Sequence, residues 1–117
     1  MKAKHLIFAV GAVALVALGV NDLTNKDANA LERLSARAGL QVDCKIEKID
    51  GERWGACRYK NGAPASAWLD RDDEWVAGNG AAIKVMDRLA YVQDLENLPS
   101  AKRDLVKPPV MPAAVFE

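Results

Sequence analysis

The chain has 117 residues, and sixteen lysines and arginines balance sixteen aspartates and glutamates. That length holds one small domain, and the charge balance offers no global field for nucleic acid or an anionic surface. Half of the residues are apolar, which excludes a disordered polyelectrolyte.

Much of the apolar content sits in one run, Leu6 to Val20 (LIFAVGAVALVALGV), preceded by a short stretch with Lys2 and Lys4. A basic n-region before an apolar h-region predicts a signal peptide or signal anchor over residues 1–20. The lysines stay on the cytoplasmic side and the remainder crosses. A spanning helix takes about 20 apolar residues, so this run is short and favours removal. Small-residue cleavage sites stand at Ala17-Leu18-Gly19 and Ala28-Asn29-Ala30. Val20 occupies the place where a lipoprotein signal needs cysteine. Both outcomes stay open: a cleaved signal, or a membrane contact through residues 6–20.

Residues 21–40 read as a linker and a short helix. Thr24-Asn25-Lys26-Asp27 fits a capping box, Leu31, Leu34 and Ala38 share one side, and Gly39 supplies the stop. Residues 41–98 read as a small α+β domain. Asp50-Gly51 is a type I′ hairpin signal. With that turn in place Ile49 faces Glu52, and the same register sets Cys44 opposite Cys57. Counting back from the turn makes the cysteines a non-hydrogen-bonded pair with Cα atoms about 4.5 Å apart, within reach of a disulfide. Closing a loop of about fourteen residues contributes about 3 kcal/mol in the chain-entropy model. Val42, Cys44 and Ile46 then share a core face with Gly55, Cys57 and Tyr59. Gln41, Asp43, Lys45, Glu47 and Arg58 line a wet face, with Asp43 opposite Arg58.

Asn61-Gly62 starts a second hairpin that brings Trp68 across from Gly55. Pro64 has no amide proton, so its nitrogen must face away from a partner strand. Leu69 to Asp73 reads as an acidic turn and Glu74 to Ala77 as a fourth strand. Asn79 caps a helix from Gly80 to about Asn97, with Ala82, Val85, Met86, Leu89 and Val92 at helical spacing. Residues 99–117 are basic, then proline-rich (KPPVMP), and read as an extended or disordered tail. The expected architecture is α+β: an export helix, a short helix, a three- to four-stranded antiparallel meander pinned by Cys44–Cys57, and a C-terminal helix packed on the sheet.

Several chemistries lack their residues. The one histidine, His5, precedes the apolar run, and serine occurs only at 35, 66 and 100. Neither a serine triad nor a cysteine–histidine pair can be assembled. Zinc would need two ligands beyond the cysteines, which are not spaced as Cys-x-x-Cys. Asp70, Asp72, Asp73 and Glu74 form an acidic cluster, but Trp75 and Ala81 stand where a calcium loop needs glycine and glutamate. EWVAGNGAAIKV resembles a phosphate-binding turn, yet Ile83 replaces the third small residue, so it reads as a turn plus cap. No catalytic residue, metal or cofactor is expected.

The clearest functional pointer is an apolar strip on the otherwise charged face: Trp54, Ala56, Ala63, Ala65, Ala67 and Leu69. Either the C-terminal helix or a partner, another envelope protein, covers it. The expected function is an exported envelope protein, periplasmic or anchored in the inner membrane with its domain outside. It would act as a non-enzymatic binding or accessory module. An inhibitor or immunity-type protein against an extracytoplasmic enzyme is the alternative, tested by inhibition of a co-encoded enzyme. A carboxylate hydrolase using Asp70 and Asp72 is a third reading.

Overall fold

The structure is a computed structural model and describes residues 25–117. The export segment 1–20 and the Thr24 cap lie outside the described residues.

Helix α1 covers residues 25–37. It ends in a Schellman motif: Gly39, at φ 86°, donates to the Ala36 carbonyl, and Leu40 donates to the Ser35 carbonyl. Leu31, Leu34 and Ala38 are buried on the side that meets the sheet. The buried Ser35 hydroxyl donates back to the Leu31 carbonyl, so it stays paired inside the core.

The sheet has five strands in sequence order: β1 (Val42–Ile49), β2 (Glu52–Tyr59), β3 (Pro64–Arg71), β4 (Glu74–Ala77) and β5 (Ala101–Lys102). The first four form an antiparallel meander, and β5 joins β4 in parallel. The sheet is therefore mixed, one strand beyond the expected meander. Helix α2 (Gly80–Leu89) is shorter than the expected span to Asn97. Asp94 accepts the amide of Glu96, and Asn97 adopts φ 62°. Such side-chain turns compete with helix, and here they turn the chain toward the free edge of β4.

The β1–β2 register is the expected one throughout, Ile49↔Glu52 to Val42↔Tyr59. Asp50 and Gly51 both have positive φ, at 52° and 82°, as a type I′ turn requires. The second hairpin departs from expectation near its turn. Tyr59 donates to the Ala63 carbonyl and Gly62, at φ 89°, donates to the Tyr59 carbonyl. The loop is thus three residues long, with glycine at its bulge position. A further irregularity between Ala56 and Arg58 restores the expected register, with Gly55 opposite Trp68. Leu69 to Arg71 lie in β3, so the acidic turn narrows to Asp72 and Asp73, at φ 52° and 63°.

Two cores form on the two faces. The first gathers Leu31, Leu34, Cys57, Trp68, Trp75, Val85 and Leu89 between the helices and the sheet. Gly55 makes this possible: a Cβ there would lie 2.3 Å from the Leu31 side chain, so α1 approaches the sheet over a missing methyl. The second core, on the opposite face, is Trp54, Ala56, Ala67, Leu69 and Val115. Val115 belongs to a short 3-10 helix, Ala113–Phe116. Residues 99–117, expected to be extended or disordered, thus supply both β5 and a strap across the outer face. The buried Val115 and the partly buried Met111 and Phe116 give the segment the apolar contacts that proline content alone does not reveal.

Candidate functional site

The disulfide is formed. Cys44 and Cys57 are directly opposed, with Cα atoms 4.0 Å apart, close to the spacing of a non-hydrogen-bonded pair. Cys57 is fully buried. The outward amide of Cys44 donates to the Glu32 carboxylate at 2.9 Å, which occupies one donor on the exposed edge of β1.

The strip offered by the sequence as a partner surface is closed by the chain itself. Trp54, Ala56, Ala67 and Leu69 are buried in the core completed by Val115. This corrects the expectation that α2 or a partner covers them. Ala65 leaves the strip because the β3 irregularity turns it into the opposite core, and Ala63 is exposed in the hairpin loop. Arg58 faces Asp43 across the ladder as expected, but its guanidinium reaches the strap. It donates to the Phe116 carbonyl at 2.7 Å, and its guanidinium lies 5.4 Å from the Phe116 ring centre. Asp43 pairs with Lys60 at 2.7 Å.

The glycine-rich turn has a structural role. A Cβ on Gly78 would lie 2.5 Å from the Trp54 ring, so the indole packs against bare backbone. Asn79 caps α2 by accepting from Ala82, as expected, and also accepts from Ala67 and donates to the Ala65 carbonyl. Its amide thus satisfies β3 where β4 has ended. The Trp54 indole N–H is buried with no acceptor among the described residues, whereas the Trp68 indole donates to Ser66 at 3.0 Å.

The acidic cluster divides between two paired carboxylates, Asp70 and Glu74, and two in an exposed turn, Asp72 and Asp73. Arg53 bridges Asp27 of α1 at 2.6 Å and Asp70 of β3 at 2.7 Å. The hydrogen bond that Arg53 donates to Asp27 is the main cause that raises the Arg53 pKa above its ordinary value. Glu74 accepts from Ser100 and lies 3.7 Å from Lys102. Among the described residues no group of three or more histidine, cysteine or carboxylate side chains is placed to hold a metal ion. A groove of about 470 Å³ beside the strap is lined by Asp43, Lys45, Glu47, Arg58 and Lys60. Its alternating charges favour no single sign of ligand.

Sequence reasoning missed the strap and its ties. Arg71 donates to the Lys107 carbonyl at 2.8 Å and pairs with Asp104 at 3.2 Å. Asp104 also accepts the amides of Val106 and Lys107, and those bonds, Lys107 first, hold its carboxyl below its ordinary pKa. An aspartate can accept the amides two and three residues on, and this local turn signal at Asp104 was the available sign of order in the segment.

Among the described residues, no helix is long and apolar enough to cross a membrane. No family model, curated protein or solved structure matches the chain.

Proposed function

We propose that the chain is an exported, non-enzymatic binding or accessory module of the cell envelope. It works outside the cytoplasm, either free in the periplasm or held at the inner membrane by Leu6–Val20. The observation that carries this reading is the Cys44–Cys57 bond. Structural disulfides of this kind belong to oxidising compartments, and this one joins facing ladder residues with no displacement of the hairpin register. The basic–apolar layout of residues 1–20 supports the same address.

The binding role is supported by how the side chains are used. Asp70, one of the two carboxylates singled out for acid–base chemistry, is engaged by Arg53, and the other, Asp72, is exposed in the turn. Trp54 and its alanines build a second core, so contact with other molecules falls to the outer surface of a pinned domain.

Limited proteolysis in the native host tests the address. Protease added to cells stripped of their outer barrier digests the domain while a cytoplasmic marker survives. Protection of the domain alongside that marker overturns the reading. Cross-linking in living cells tests the role: adducts to an envelope protein are expected, and catalytic turnover by the purified chain contradicts it.

A further inference from the structure

Of the five large apolar side chains exposed among the described residues, three lie in one loop of the strap. Leu105 is 76 % exposed, Val106 95 % and Val110 89 %. The loop has internal ties: the Asp104 carboxylate accepts the Val106 and Lys107 amides, and Arg71 holds both Asp104 and the Lys107 carbonyl. The apolar side chains are thus presented to solvent by a braced turn, and an ordered tip loses less conformational freedom on docking than a mobile one.

The place of this tip in the fold identifies what it meets. Asp70 and Arg71 are the last two residues of β3. Asp70 shares Arg53 with Asp27, which fixes the start of α1 at this end of the sheet. Arg71 fixes the Leu105–Val106 tip at the same end. The helix that follows the apolar run Leu6–Val20 in the sequence therefore starts at the end of the sheet that carries the exposed tip. Only residues 21–24 separate that run from the described helix, a reach of at most about 14 Å for four extended residues.

We propose that residues 103–110 form a lipid-docking tip that seats the domain on the membrane entered by Leu6–Val20. The inference rests on the anchored form of the function proposed above. Leu105, Val106 and Val110 enter the interfacial region, and Arg103 and Lys107 flank them where long cationic side chains reach the headgroups. The turns at this end also carry Asp50, Asp72 and Asp73, which oppose attraction to anionic lipid. Docking is therefore driven by apolar contact and not by charge.

Photo-crosslinking of the full chain in its native host tests this. A diazirine-bearing residue replaces Val106, or Lys84 on the exposed side of α2 as control, or Val16 within the apolar run. Phospholipid adducts at position 106 and none at 84 are expected. Adducts at 106 to protein, to a second copy of the chain, or to nothing overturn the tip. If position 16 takes lipid while 106 does not, anchoring stands and the tip fails. If mass shows residues 1–20 removed, anchoring fails, and the tip stands or falls on lipid adducts at 106 alone. As a second measurement, Leu105→Glu with Val106→Glu alters only exposed side chains. In the full chain on vesicles it should abolish the slowed amide exchange of residues 103–110. Equal exchange in both proteins overturns the proposal.

Discussion

Replacing Val115 by alanine removes two methyl groups from a side chain that is 2 % exposed and packs in one core with Trp54, Ala56, Ala67 and Leu69. At about 0.8 kcal/mol per buried methylene-sized group the transfer loss is about 1.6 kcal/mol, and an incompletely filled cavity raises it to about 2 kcal/mol. The loss is assigned to strap closure, because Val115 lies in the last element of the described chain, Ala113–Phe116. About 2 kcal/mol corresponds to an opening constant about thirtyfold larger. The two indoles provide the assay. Trp54 has a buried N–H with no acceptor among the described residues and packs in the core that Val115 completes, whereas Trp68 donates to Ser66 in the opposite core. Indole hydrogen exchange followed by NMR should accelerate about thirtyfold at Trp54 and stay unchanged at Trp68, the signature of a local opening. Equal acceleration at both would show that the strap opens only with the whole domain. No change at Trp54 would show that Val115 does not close the strip.

Three further perturbations have defined outcomes. Gly55→Ala forces a Cβ to within 2.3 Å of the Leu31 side chain and should destabilise by about 1–3 kcal/mol in denaturant titration, and an unchanged midpoint would refute the close approach of α1. Asp73→Gly removes a β-carbon from a residue at φ 63° in the β3–β4 turn and should stabilise by about 1 kcal/mol, seen as a higher thermal midpoint. Asp104 has a folded pKa below its ordinary value of 3.8, so its contribution is present above that value and fades as pH falls through the lower folded one. Amides 106 and 107 should therefore lose protection below about pH 4 in the wild type. Asp104→Asn at neutral pH should mimic that loss, and acid protection equal to that at pH 6 would contradict it.

What could be read from the sequence tracks how local its cause is. The β1–β2 register follows from one turn, because both Asp50 and Gly51 accept positive φ and every pair then follows by alternation. The disulfide inherits that certainty. The second hairpin was half legible. Asn61-Gly62 marks the turn, but its type depends on Tyr59 closing on Ala63, and the register recovers through the Ala56–Arg58 irregularity. Asn79 bridges the Ala65 carbonyl and the Ala67 amide on β3 there. The end of α2 was overrun because Val92 continues the apolar spacing while Asp94 and Asn97 favour turns. The strap was illegible for a different reason. KPPVMP has no period, β5 is two residues long, and Val115 meets partners distant in the chain. The strip itself was visible in Trp54, Ala56, Ala67 and Leu69. Its cover was not, so a core was read as a surface.

The account depends on one covalent bond and the compartment that permits it. Full-length protein recovered from its native host is alkylated under denaturing conditions without reductant, then after reduction, and weighed intact. The account predicts no label in the first mass and two in the second, one each on Cys44 and Cys57. Two labels before reduction would show free thiols, and with them an internal, reducing address for a domain assigned here to the outside.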